Sequence, residues 1–295
     1  MKAFVIAETE NAARELCAGA RTLADEVVLT MVGAPVAGAA DKCLVVNVPE
    51  GAVADDAYLT VNAAFDAEGA GVVLAEPAPR ILSLVGRLAA HLGTSAITDC
   101  QSIEGGVATS MYFGGAGVRE AKATGDVAVY TVGAGTFDAA SATGTDAVEE
   151  LAWQAPANAL AKTGSEELPP SDVNLQGADV IVGCGRGFAA EDDLQMARDL
   201  AAKVGGELAC TRPLTEGVDW FPREAYLGVS GQIVAPKVYF ALGLSGQMQH
   251  MVGVTKAGTI VAINKDKNAP VFKQCDLGLV GDLKTALPAL TAALA

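Results

Sequence analysis

ADVIVGCGRG, residues 178–187, sets a short apolar run directly against three glycines. Ala178 to Val182 has the length and composition of a buried strand. Gly183, Gly185 and Gly187 follow at once, and glycines there let the backbone turn tightly and approach a neighbour closely. Working outward, Glu191 to Val204 has the apolar spacing of a helix. Glu207 to Cys210, Val238 to Leu242 and Thr259 to Ile263 read as further strands, and Asp282 to Leu294 as a closing helix. This alternation predicts a parallel sheet covered by helices, a Rossmann-like, doubly wound α/β domain.

The first half has a similar texture. Lys2 to Ala7, Glu26 to Val32, Cys43 to Val48 and Gly71 to Ala75 are strand candidates; Glu10 to Ala24 and Arg80 to Leu92 are helix candidates. Gly105 to Gly114 (GGVATSMYFG) and Asp126 to Val132 (DVAVYTV) alternate and are β-rich, which predicts antiparallel strands added to the same sheet. No nucleotide motif stands out in this half. Thr163 to Leu175, with Pro169–Pro170 and several charges, reads as an interdomain linker. The expected division is an N-terminal α/β domain over 1–170 and a second domain over 171–295.

Half of the 295 residues are hydrophobic and the net charge is −15. Such a chain buries a substantial core. Its acidic balance opposes nucleic-acid binding, which relies on Lys and Arg to neutralise phosphates. The acidity itself has two readings, a solvated surface or steering toward basic redox partners. Six cysteines without a C-x-x-C pair read as reduced, buried small hydrophobes. Two histidines, His91 and His250, leave no basis for a His-rich metal site, so no metal is expected. The opening MKAFVIAETENAARE lacks the shape of a secretory signal, and no apolar stretch is long enough to cross a bilayer. The expected setting is the cytoplasm.

The glycine stretch itself admits two readings, tight packing or phosphate binding. In the second, Arg186 supplies a fork of donors beside a helix N-terminus. Phe188 occupies the last position of a G-x-G-x-x-G fingerprint, and no acid stands at the end of the next strand to hold a ribose. Both points count against an NAD-dependent dehydrogenase. Thr211 and Arg212 lie at the expected carboxyl end of a strand, where open α/β sheets bind ligands; Arg212 is a ligand contact or a surface charge.

Two Gly-Ser loops follow, LGVSGQ from Leu227 and LGLSGQ from Leu242. Ser230 offers a hydroxyl. Ser245 reads as an N-cap, with or without a ligand on the backbone N–H groups behind it. Gln249 and His250 are polar in apolar surroundings; a lone His is structural or ligand-binding. Asn264 and Asp282 make a turn and a helix cap, or hold an adenosine.

The order of these segments resembles the C-terminal signature of the electron-transfer flavoprotein alpha subunit. The resemblance runs from Leu227 to Leu283 through LGVSG, LSGQMQHMVG, IVAINKDKNAPVF and CDLGLVGDL, with GCGRGF and ACTRP upstream. GTFDAA and AWQAPA are similar to the branch associated with anaerobic carnitine-type acyl-CoA metabolism. The resemblance implies FAD, bound in extended form on the second domain. Arg186, Thr211, Ser245, Gly246, Gln247, Met248, Gln249, Asn264 and Asp282 would hold its pyrophosphate, ribityl and adenosine portions. Arg212, Ser230 and His250 would contact the isoalloxazine, with Arg212 and a protonated His250 stabilising negative charge on the reduced ring, while Leu227, Gly228 and Val229 complete the loop. Many relatives read Gly-Gln-Thr-Gly where this chain has Gly228-Val229-Ser230-Gly231, so hydrogen bonds of that amide are missing here. Thr211 stands where Ser is common. The family implies an electron carrier rather than a substrate-transforming enzyme. It pairs as a heterodimer with a smaller beta subunit, against which the first domain packs, and exchanges electrons with flavoprotein dehydrogenases or reductases. The alternative is an adenine-nucleotide-binding module without redox activity.

Overall fold

The computed structural model describes residues 1–145, 147–166 and 173–294. The core of the expected linker, and with it the expected boundary at 170/171, lies outside the described residues. The chain divides into two compact units, residues 1–112 with 117–167, and residues 113–116 with 168–295.

The first unit runs β1 (Lys2–Ala7), α1 (Glu10–Ala20), β2 (Glu26–Val32), β3 (Lys42–Val46), α2 (Tyr58–Glu68), β4 (Val72–Ala75), α3 (Pro79–His91), β5 (Ala96–Glu104), β6 (Val107–Tyr112), β7 (Gly117–Lys122), β8 (Ala128–Val132) and β9 (Val148–Leu151). Its sheet has the order β7-β6-β5-β8-β4-β1-β2-β3-β9. Successive β1 side chains serve opposite faces. Ala3, Val5 and Ala7 pack in the layer of Leu16 and Cys17 from α1. Phe4 and Ile6 pack with Phe65 of α2 and Leu84 of α3. A strand covered on both faces reads as a continuous apolar run, which is why β1 was legible.

One expectation is corrected. Asp126 to Val132 is not an added antiparallel strand: β8 lies inside the sheet, parallel to both β4 and β5. Its alternating sequence suggested one wet face, but Val129, Tyr130, Thr131 and Val132 are all buried. The antiparallel part is the β5–β6–β7 meander. Its first turn, Gly105–Gly106, has φ of +56° and +80°, the positive pair that a two-residue hairpin of this twist requires.

The second unit runs β10 (Val180–Cys184), α4 (Gln195–Val204), β11 (Glu207–Cys210), β12 (Val238–Leu242), α5 (Met248–Met251), β13 (Thr259–Asn264), β14 (Leu277–Val280) and α6 (Leu283–Ala293). Its five strands are all parallel, in the order β11-β10-β12-β13-β14. The architecture is therefore α/β in both units. One face of the second sheet packs on α4 and α6 through Ala197, Leu200, Leu283 and Leu287. The other is covered by Leu227, Val234, Leu244, Met251 and Val271, that is, by irregular chain and the short α5. Strand order reverses between β10 and β12, and the crevice at such a switch point is where open α/β sheets take ligands.

Candidate functional site

A cavity of about 840 Å³ opens at this switch point, within the range usual for small-molecule and cofactor sites. Four of the five strands contribute through residues at or just past their carboxyl ends. Arg186 and Gly187 follow β10, Thr211, Arg212 and Pro213 follow β11, Gly243 to Gln247 follow β12, and Lys265 and Asp266 follow Asn264 at the end of β13. Tyr226, Val229, Ser230, Gln249, His250, Ala269 and Pro270 complete the wall.

Of the fifteen expected site residues, eleven line the cavity: Arg186, Thr211, Arg212, Val229, Ser230, Ser245, Gly246, Gln247, Gln249, His250 and Asn264. Four do not. Leu227 is fully buried behind the wall. Gly228, at φ +141°, lies against the Gln249 carbonyl. Met248 is exposed to one side of the lining. Asp282 caps α6 by accepting the Lys284 N–H, and it lines a smaller adjoining cavity of about 130 Å³ that shares Gly187, Gly243, Asn264 and Lys265. Tyr226, Lys265, Asp266, Pro213, Ala269 and Pro270 were not anticipated as lining. The carboxyl-edge rule pointed at Lys265 and Asp266 once Asn264 was chosen; Pro213, Ala269 and Pro270 lie inside the motifs ACTRP and IVAINKDKNAPVF without having been singled out, and Tyr226 lies outside every quoted motif.

The glycine stretch serves packing. A Cβ on Gly185 would lie 2.5 Å from the Leu244 Cα, and one on Gly187 would lie 2.6 Å from the Gly243 Cα. The Gly187 N–H donates to the Gly243 carbonyl at 2.8 Å. These glycines let the loops after β10 and β12 touch, and that contact shapes the cavity floor. A phosphate site at the following helix start is not supported, because that turn carries Glu191, Asp192 and Asp193, whose charge repels an anion.

Ser245 is not a helix cap. Gln247 is the residue preceding α5, and no side chain caps it. The Ser245 carbonyl instead accepts the Val271 N–H. The loop is held by polar side chains from behind: Asn264 Nδ2 donates to the Leu244 carbonyl at 2.8 Å and Gln274 Nε2 to the Gly246 carbonyl at 2.8 Å. In the other Gly-Ser loop the Val229 N–H donates to the Gln249 carbonyl, and the Ser230 and Tyr226 hydroxyls are 3.2 Å apart. The two loops line one cavity.

Arg212 is half exposed and pairs through Nε with Glu216 at 2.6 Å. That bond, before the general charge of Glu216, holds the guanidinium in its protonated form. The other expected charge is corrected. His250 is buried, with Nδ1 3.1 Å from the Leu227 carbonyl and Nε2 2.7 Å from the Tyr239 hydroxyl. Burial pushes the imidazole down to about 4, so it stands neutral at physiological pH rather than as a cation. Among the described residues no cluster of His, Cys, Asp and Glu is arranged to hold a metal ion. None of the described helices is long and apolar enough to cross a membrane.

Residues 174–255 match the family model of the electron transfer flavoprotein FAD-binding domain, and residues 4–157 match that of the electron transfer flavoprotein domain. The first match takes in the cavity residues from Arg186 to His250 but not Asn264 or Asp282. The chain is 41% identical over 231 residues to Protein FixB of Escherichia coli O17:K52:H18, covering 76% of this chain and 74% of the relative. Protein FixB of Escherichia coli O9:H4 is similar to the same extent.

Proposed function

The chain belongs to the electron transfer flavoprotein family as an FAD-binding, alpha-type subunit, and on that footing we propose that the cavity at the β10/β12 switch point is its flavin site. The protein binds FAD and transfers electrons. The observation that carries the site is the convergence of Arg186, Thr211, Arg212, Ser245 to Gln247 and Asn264 on one cavity at the carboxyl edge of a parallel sheet.

FAD supplies a ring that accepts and releases electrons; the chain supplies position and electrostatics. Arg186 and Arg212 bring positive charge to an otherwise acidic molecule, suited to a pyrophosphate and to an electron-rich ring. Backbone groups of Gly246 and Gln247, on a loop pinned by Asn264 and Gln274, orient the cofactor. Thr211, Ser230 and Gln249 add short polar contacts, while Val229 withholds the amide that relatives use there. Asp282, in the adjoining small cavity, suits the adenosine end.

The protein does no bond chemistry on a substrate. It works in the cytoplasm as a heterodimer with a smaller beta subunit, and carries electrons between flavoprotein dehydrogenases and reductases. GTFDAA and AWQAPA support the branch tied to anaerobic carnitine-type acyl-CoA metabolism. Within the first unit these stretches are structural. The N–H groups of Thr136 and Phe137 bind the Glu15 carboxylate, and the Gln154 N–H binds the Thr60 hydroxyl.

Co-expression with the neighbouring small subunit, followed by a visible spectrum of the purified complex, tests the reading. Flavin bands that weaken in Arg212→Ala are expected. A colourless complex that refuses added FAD yet binds AMP would replace the carrier with an adenine-nucleotide module.

A further inference from the structure

Tyr239 is the second residue of β12 and has no exposed surface. A buried hydroxyl needs a partner, or it costs about 1–3 kcal/mol. Its partner is His250 Nε2 at 2.7 Å. The direction of that bond follows from the other side of the ring. His250 Nδ1 faces the Leu227 carbonyl at 3.1 Å, and a carbonyl oxygen can only accept. Nδ1 therefore carries a proton; with the ring held neutral by burial it is the only one, so Nε2 is bare and the Tyr239 hydroxyl donates to it. Both ring nitrogens are engaged inside the protein, and the imidazole meets the cavity in one tautomer and one orientation.

A second observation is independent of the first. Gly183 lies inside β10, where a glycine weakens a strand and calls for a local reason. A Cβ there would overlap the Tyr239 hydroxyl and lie 2.5 Å from its Cζ. The first glycine of the 183–187 stretch thus makes room for a tyrosine oxygen on the neighbouring strand.

We propose that Tyr239, seated in the space left by Gly183, is the positioning residue that fixes His250 at the wall of the flavin cavity, so that His250 acts on the flavin as an oriented neutral dipole. The inference rests on the flavin-site reading above. A fixed dipole whose interaction differs between oxidised and reduced ring shifts the balance between them.

The test uses the full chain in complex with its small subunit, loaded with FAD, in wild-type and Tyr239→Phe forms. Phe keeps the ring and removes only the oxygen. The first readout is the ¹⁵N spectrum of the histidine ring nitrogens; with two histidines in this chain, His91→Gln assigns them, and the small subunit is left unlabelled. Wild-type His250 is expected to show a protonated Nδ1 and a bare, hydrogen-bonded Nε2, and the variant an Nε2 signal displaced toward the unbonded position. The second readout is the flavin potential. Loss of one buried hydrogen bond's orientation is expected to change the ratio of oxidised- to reduced-flavin affinity roughly five- to tenfold, a shift of about 20–30 mV for a two-electron couple. An unmoved Nε2 signal overturns the Tyr239–His250 link. A displaced signal with an unmoved potential overturns the positioning role and leaves the pair purely structural. A wild-type complex that takes up no FAD defeats the site reading itself, and the proposal with it, whatever the nitrogen spectrum shows.

Discussion

His250 makes the fold acid-sensitive in a window that opens above the carboxylate range. Its imidazole is pushed from 6.5 down to about 4, first by burial, with the Leu227 carbonyl opposing weakly. A group whose folded pKa lies below its unfolded value is neutral in the fold while the unfolded chain takes up a proton. Stability is thus undiminished above 6.5, and falls as pH drops from 6.5 toward 4. Between pH 7 and pH 5 one such group removes about 2 kcal/mol, at 1.36 kcal/mol per pKa unit. His250→Gln is the matched control. Its amide can accept from Tyr239 and donate to Leu227, and it does not titrate. The chain has two tryptophans, Trp153 and Trp220; in a Trp153→Phe background, Trp220 fluorescence follows the second unit alone during urea unfolding. Flavin-free wild type is expected to lose about 2 kcal/mol more than His250→Gln between the two pH values. Equal losses in the two proteins would refute the reasoning, because the histidine would then not be held neutral by burial.

Two further outcomes follow from the packing. Gly246 has φ +77° and its Cβ would overlap the Val271 backbone, whereas Gly205 has φ +63° and open space around it. Gly205→Ala should cost about 1–2 kcal/mol of backbone strain. Gly246→Ala should add about 1–3 kcal/mol of overpacking and release FAD; equal melting temperatures for the two variants would count against the close approach. Of the six cysteines, all are buried except Cys275, which is half-buried. Burial raises Cys17 and Cys210 to about 12 and Cys100 to about 11. One fast-reacting thiol per native chain is expected with an aromatic disulfide reagent, rising to six on denaturation; two or more fast thiols in the native protein would contradict the burial.

The fold was legible where strands are covered on both faces and illegible where local signals conflict. Lys2–Ala7, Glu26–Val32, Glu207–Cys210 and Val238–Leu242 are near-continuous apolar runs and fall where they were read. The first helix was read to Ala24 but stops at Ala20, where the chain tightens into three-residue turns: the Thr22 N–H and hydroxyl both donate to the Gly19 carbonyl and the Leu23 N–H to that of Ala20. Tyr58–Glu68 escaped notice because its buried face includes Thr60 and Asn62, which break the apolar period. Leu277–Val280 is an exposed edge strand with no alternation to detect. For the site, the rule that ligands gather at carboxyl ends of strands pointed at Thr211, Arg212 and the Asn264 edge, and the family resemblance supplied the rest of the eleven lining residues. Neither could find Tyr239, which acts from within a strand through another side chain. The only trace of Tyr239 in the sequence was a glycine placed inside an apolar run.

At the switch point of the first sheet a carboxylate sits where the second sheet keeps an open cavity. In the first sheet the order reverses between β1 and β4, so its switch point lies where Glu8–Thr9 and Glu76 leave those strands. Glu76 is buried there. Its carboxylate accepts the Glu8 N–H at 2.7 Å, the Thr9 N–H at 3.1 Å and the Thr9 hydroxyl at 2.9 Å, just ahead of α1. The position where a ligand's anionic group would meet backbone donors is filled by the chain's own acid. In the second sheet the corresponding positions, Gly185 to Gly187 and Gly243 to Gly246, carry four glycines with Arg186, Leu244 and Ser245 between them. Asn264 turns back to the Leu244 carbonyl, and the space still stays open to a cofactor. Parallel-sheet topology thus offers a crevice in both units, and the side chains just past the strand ends decide which one stays open.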